Sequence, residues 1–411
     1  MLKTFCRATC ACAFFSMVVS AGNKPADLSR FVVMGDSLSA GVENFSLLYN
    51  QQPNGYASLI AKQAETPLSL PLVPYPGAPN VLQLESGGPP PGPPPVIEPA
   101  PGTLIFPRLN AIQEPFNISV PGITVGEAIT MRPTLNPNAP AVQQWATIVL
   151  GFPALLLGQA PTQLETAVAL RPTTIIEALG NNDALVPALV GQLAALTPLA
   201  QFTASYQQVL DTLSTTHATL ITVNIPDVTE VPYFTAVAAI AQQAGVPVAT
   251  VDALLGTGPG DYVRLSGLTL VDEILSGTAT GPLPATCASP LAALSPSPIP
   301  CVLTAADAAM LRSTINAYNG VIAAQSASHH ALVVDLHTLV DQISTNGYRI
   351  GTKTLTTTFL GGLFSLDGIH PTNTGYGVIA NSFITAMNAN LNTHLAQVNV
   401  PAIAAKDPLV F

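Results

Sequence analysis

Charge is the scarcest commodity in this sequence. Only 9% of the 411 residues are Asp, Glu, Lys or Arg, against roughly 25% in an average soluble domain. The 13 Lys plus Arg residues face 23 Asp plus Glu, a net charge of −10, and nowhere do they form a basic stripe. A chain so poor in cations is not built to neutralise a run of phosphates, which excludes nucleic acid as a partner. A single Trp and a 6% share of aromatics leave little surface for stacking on sugar rings. His, Cys and carboxylates do not gather at the spacings of a metal site, so neither a metal nor an organic cofactor is expected.

Cysteine is nearly absent as well. Of five, Cys6, Cys10 and Cys12 lie in an N-terminal stretch where Lys3 and Arg7 precede the apolar run ATCACAFFSMVVSA. That run ends in the small residues Ser20 and Ala21 and is shorter than the roughly 20 apolar residues of a spanning helix. It reads as an export signal peptide over residues 1–21, cleaved near Ala21. The mature chain, residues 22–411, is then expected to carry no stable membrane span and to be extracellular, periplasmic or on the cell surface. Cys287 and Cys301 remain, an even pair expected to close a Pro- and Ser-rich loop as a disulfide.

What the chain does have is apolar residues, 48% of the total, ample for a large core. Five β-like runs stand out: RFVVMG near 30–35, NISV at 117–120, TTIIEAL at 173–179, ATLITVN at 218–224 and ALVVDL at 331–336. Most are continuous apolar runs, as strands covered on both faces are. Helix-like segments alternate with them over residues 56–65, 188–213, 233–245, 305–325 and 376–391. The alternation predicts an α/β fold, a three-layer α/β/α sandwich with a parallel sheet of about five strands. Two long segments break the rhythm. One, about 67–115, is so rich in proline that it reads as a semi-rigid loop; the other, about 246–303, carries the cysteine pair. Both are read as insertions in a single domain.

Candidate chemistry gathers where the predicted strands end. In FVVMGDSLSAG, Ser37 follows the first strand, but a serine hydroxyl needs a base to take its proton and an acid to orient that base. Among the six histidines, His217, His329 and His330 precede strands and belong at the wrong edge, His394 is placed in the last helix, and His337 has no helpful partner nearby. His370 stands in SLDGIHPTNTGY, three residues after Asp367, so one short loop carries both an acid and a base. The same residues also fit an Asp turn followed by a helix cap. In ALGNNDAL, a strand ends in Gly180, Asn181, Asn182 and Asp183, whose side-chain amides can donate to an oxyanion or simply form an Asx turn. In NISVPGITVGEAI, Gly122 lets a backbone N–H approach a ligand without a Cβ in the way.

These four blocks, in this order, resemble the GDSL or SGNH hydrolase superfamily: Gly35-Asp36-Ser37-Leu38, Gly122, Gly180-Asn181-Asn182-Asp183 and Asp367-Gly368-Ile369-His370. The likeness spans nearly the whole mature chain. It implies a flavodoxin-like sheet and a catalytic triad of Ser37 as nucleophile, His370 as general base and then acid, and Asp367 as the orienting carboxylate. It also implies an oxyanion hole built from the Ser37 and Gly122 amides and the Asn182 side chain. Asp36 falls to the turn. Position 39 is Ser, so the Gly-x-Ser-x-Gly elbow of α/β-hydrolases is not present. The expected partner is an ester substrate, lipid or acyl esters foremost, cleaved by an exported esterase or lipase. The alternatives are a carbohydrate O-acetylesterase or an acyltransferase on the same triad, and a non-catalytic surface binding module.

Overall fold

A computed structural model describes residues 25–89, 95–105, 107–289 and 298–411. The expected signal peptide, with Cys6, Cys10 and Cys12, lies outside the described residues. At the centre is a parallel sheet of four strands: β1 (Phe31–Gly35), β2 (Thr174–Ala178), β3 (Thr219–Val223) and β4 (Leu332–Val334), hydrogen-bonded in that order. Six helices frame the site and core: α1 (Ser37–Ala40), α2 (Tyr56–Gln63), α3 (Asn182–Val190), α4 (Leu199–Ser214), α5 (Ala305–Ser328) and α6 (Asn373–Asn390).

Alternate residues of each strand face opposite sides, and helices cover both. Phe31, Val33, Ile176 and Ile221 pack with Tyr56 and Ile60 of α2 and with Phe383 and Met387 of α6. Val32, Met34, Ile175 and Leu220 pack with Phe202 and Leu210 of α4 and with Leu311 and Ile315 of α5. Burial on both faces is why these strands are largely apolar.

The expected fifth strand is not a regular one. Residues 116–120 lie parallel to β1, with Val33 donating to the Phe116 carbonyl and Ile118 and Val120 donating to Val33 and Gly35, yet only the Val33–Asn117 bridge is regular. Asn117 turns its own side chain onto the Ser119 amide at 3.2 Å, and Pro121 follows with no N–H to continue a ladder. The position of this segment matters more than its regularity. The chain leaves β1 toward it on one side and returns to β2 on the other, so β1 ends at a topological switch, where open α/β sheets leave a crevice.

Other sequence expectations need correction. The helix expected over 188–213 is two helices, because Gly191 closes α3 in the left-handed region at φ 70 and Pro198 precedes α4. Residues Phe234–Ala236, expected to be helical, form a strand before the helix Val237–Ala244. The proline-rich segment is not all loop: Leu82–Ser86 pairs antiparallel with Val96–Pro99, and its prolines cluster outside those stretches, Pro99 alone falling inside at the last residue. The second insertion holds the helices Val248–Leu255 and Leu268–Ser276. It also completes a three-stranded sheet of Phe234–Ala236, Tyr262–Arg264 and Val302–Leu303. An apolar cluster of its own forms around Val251, Val263 and Val271. His394 is exposed beyond the end of α6, not within it. Cys287 and Cys301 form a disulfide.

No single helix among the described residues is long and apolar enough to cross a membrane. The bent pair Val237–Ala244 and Val248–Leu255, at 114°, meets the criterion on length and composition alone.

Candidate active site

Ser37 opens α1 two residues past the end of β1's apolar run. Asp36 caps that helix by accepting from the Leu38 amide at 3.0 Å, and Gly41, at φ 76, ends it after one turn. So sharp a turn needs glycine at 35, where a Cβ would lie 2.4 Å from Ser39 Oγ and 3.0 Å from the Ala178 carbonyl.

The loop from Leu366 to His370 is organised around one carboxylate. Asp367 Oδ1 accepts from the amides of Ile369 at 2.7 Å and His370 at 2.8 Å. Its Oδ2 meets His370 Nδ1 at 2.8 Å and also accepts from the Phe45 amide. Burial pushes the Asp367 carboxyl up, but the neighbouring imidazole and these hydrogen bonds outweigh it and hold the group below its ordinary value. An ionised carboxylate only accepts, so Nδ1 carries a proton, and in the neutral imidazole Nε2 keeps a free lone pair. Such an imidazole can take a proton from a hydroxyl and return it to a leaving group.

Gly122 follows Pro121 at φ 76, and a Cβ there would lie 3.2 Å from the Trp145 ring. Asn182 is the first residue of α3. Its Nδ2 donates to the Ile123 carbonyl at 3.1 Å and faces Asp36 Oδ2 at 3.4 Å, which ties the turns after β1, after residue 120 and after β2 into one unit. Burial raises the Asp36 carboxyl to about 6, against the pull of the Leu38 amide, His370 and Asn181.

Ser37, Gly122, Asn182 and His370 all line one cavity, about 410 Å³ including its open mouth, whose other walls are largely apolar. A second cavity, about 600 Å³ including its open mouth, meets it at Ser37, Leu185, Ile369 and His370. Asn181 lines only the second cavity and Asn182 only the first. Asp183 lines neither: its Oδ2 accepts from the Val125 amide at 3.0 Å and anchors the helix Val125–Thr130. Of the other histidines, His337 Nδ1 lies 2.9 Å from the Ile225 carbonyl and His329 pairs with Asp211 at 2.8 Å, both outside these cavities. Among the described residues no group of three or more His, Cys, Asp and Glu is placed to hold a metal ion.

Sequence reasoning did not find Phe45, Ala78 and Trp145, which line the first cavity. Trp145 Nε1 donates to the Ala78 carbonyl at 3.2 Å, and its ring meets Phe45 edge-on at 6.5 Å. The proline-rich insertion therefore reaches the site through Ala78. Asn44 and Phe45 both sit at positive φ, and Asn44 Oδ1 accepts from the Leu366 amide at 3.0 Å. An Asn tolerant of the left-handed region was the one local signal for this turn.

No family model matches this sequence, and no curated protein does. Among solved structures, the chain is similar to the crystal structure of LAE5, an alpha/beta hydrolase enzyme from the metagenome of Lake Arreo, Spain. The likeness covers 88% of this chain and 96% of that one, at 14% identity and a TM-score of 0.37.

Proposed function

We propose that the protein is a serine hydrolase of the GDSL or SGNH type that cleaves carboxylic esters of apolar acids. The observation that carries this is the convergence of Ser37, Gly122, Asn182 and a carboxylate-held His370 on one apolar cavity at the switch point of the sheet. Ser37 Oγ attacks the ester carbon as His370 Nε2 takes its proton. The bond from Oγ to carbon forms, the alcohol oxygen leaves, and His370 returns the proton to it. Water repeats the cycle in reverse on the acyl-enzyme. The amides of Ser37 and Gly122 and the side chain of Asn182 receive the charge that develops on the carbonyl oxygen.

The cavity walls favour an acyl chain over a sugar. Besides Ser37, Asn182 and His370, the side chains lining the cavity are apolar, Val42, Phe45, Trp145 and Leu189 among them, and leave few partners for sugar hydroxyls. Export belongs to the same proposal, supported by the leader-like composition of residues 1–21 and by the Cys287–Cys301 pair. Labelling with a fluorophosphonate probe tests the reading: the wild type should be labelled on Ser37 and the Ser37→Ala protein should not. Absence of labelling in a folded wild type refutes it.

A further inference from the structure

The second cavity has no place in the cycle just described. It shares Ser37 and His370 with the first but none of Gly122, Asn182 or Trp145. Its walls include the imidazole and Pro371, Ile379 of α6, Leu336, Leu339 and Val340 of the helix Leu336–Asn346, and Val228 and Val231. Neither cavity is lined by an Asp, Glu, Lys or Arg side chain.

The geometry points to a two-armed site: we propose that the first cavity takes the acyl arm of the substrate and the second takes an apolar alcohol arm. This rests on the esterase reading above. Two of the three oxyanion donors of that reading, Gly122 and Asn182, line the first cavity only, and the third, Ser37, stands where the cavities meet, so the carbonyl oxygen and the chain beside it belong to the first. The leaving oxygen must lie against His370 Nε2 to receive its proton, and the cavity that continues beyond His370 is the second one. An uncharged, apolar lining has no counter-ion for a phosphate or carboxylate head group, whose desolvation would go uncompensated. The substrate class is therefore a neutral ester with apolar groups on both sides of the scissile bond, not a phospholipid.

Two ester series test this in the full mature protein: methyl esters from acetate to octanoate, and butyrates from methyl to hexyl, followed by pH-stat titration. Both series should rise in kcat/KM, by up to about fourfold per added methylene, with hexyl butyrate exceeding methyl butyrate by about tenfold or more. Val186 lines only the first cavity and Leu339 only the second, and both are partly exposed, where a polar residue is tolerated. Val186→Asn should flatten the acyl series and Leu339→Asn the alcohol series. A flat alcohol series in the wild type overturns the second arm, and so do variants whose effects come out exchanged. Should either variant unfold by circular dichroism, the two wild-type series still decide. Failure of the esterase reading looks different: no ester in either series is cleaved and Ser37 is not labelled by the fluorophosphonate, which overturns both proposals.

Discussion

The backbone amide of Phe45 donates to Asp367 Oδ2, across 322 residues of sequence, onto the oxygen that also holds His370 Nδ1. Both neighbours of that oxygen are donors. In Asp367→Asn, an amide NH2 turned toward them would set donor against donor, and the flipped amide would do the same to the Ile369 and His370 amides on the other side. The imidazole then loses both its orientation and its counter-charge. We expect kcat to fall on the order of 10⁴, measured with a p-nitrophenyl ester.

Ser37→Ala and His370→Ala should each lower kcat by about 10⁶ while folding is retained. Among the described residues the Ser37 side chain makes no hydrogen bond that holds α1; Ser37 contributes its backbone carbonyl, which accepts from the Gly41 and Val42 amides and is kept in the variant. Circular dichroism should therefore superpose on the wild type. A Ser37→Ala protein turning over at the wild-type rate would remove the nucleophile from the proposal.

Asn182→Ala should reduce kcat by roughly 10²–10³ with a smaller change in KM. Asn181→Ala should cost far less, because Asn181 faces the second cavity while Asn182 stands beside Gly122 in the first. The reverse order of effects in steady-state kinetics would show that the oxyanion donor is misassigned.

The candidate residues that meet at the first cavity could be picked out in the sequence because each signal is local: Asp367 and His370 share one loop, and Ser37, Gly122 and Asn182 each follow a strand-like run. While the run at 117–120 contributes only an isolated bridge, four strands of the central sheet were legible for the same reason. Phe45, Ala78 and Trp145 were not, since their place at the cavity depends on how the Asn44 turn and the proline-rich insertion fold back over the sheet edge. The hairpin at 82–86 and 96–99 was hidden by the prolines that flank it. The split between α3 and α4 turned on Gly191, whose φ of 70 ends a helix in a segment that otherwise reads as helix-like.

Four buried carboxyls make stability depend on pH in one direction. Burial raises Glu43 to about 8, with Asp407 and Asp367 adding repulsion, and raises Glu177 to about 8 against the pull of Tyr206. Asp36 and Asp183 rise to about 6, again through burial. Between about pH 4 and pH 8 the folded chain therefore holds protons that the unfolded chain, with its carboxyls near ordinary values, releases. Stability falls as pH rises through that window. Asp367 has the opposite sign, but its contribution is lost only as pH drops below the ordinary carboxylate range. Thermal melts should give a Tm several degrees higher at pH 5 than at pH 8, and Glu43→Gln with Glu177→Gln should shrink the difference. A Tm that rises toward pH 8 would contradict this account.

Arg264 joins the second insertion to α3, whereas the disulfide closes wholly within the insertion. The Arg264 guanidinium is buried over the Phe234 ring and donates to the carbonyls of Pro300 at 3.1 Å, Val302 at 2.6 Å and Ala188 at 3.2 Å. Ala188 belongs to α3, the helix that carries Leu185, Val186 and Leu189 into the first cavity. Arg264→Met fills the space but removes a donor from three carbonyls; that of Ala188 keeps the Gly191 amide at 3.3 Å, and each of the others left unpaired costs about 1–3 kcal/mol. Removing the disulfide by Cys287→Ala with Cys301→Ala opens a loop with a sequence separation of 14, worth about 3 kcal/mol at most. The arginine variant should therefore melt at lower temperature than the double cysteine variant. It should also raise KM for long-chain esters, because α3 loses its anchor, whereas the cysteine variant should leave the chain-length profile as it was. Equal melting temperatures together with an unchanged profile in Arg264→Met would mean that the contact is incidental and that the insertion is held by its apolar cluster alone.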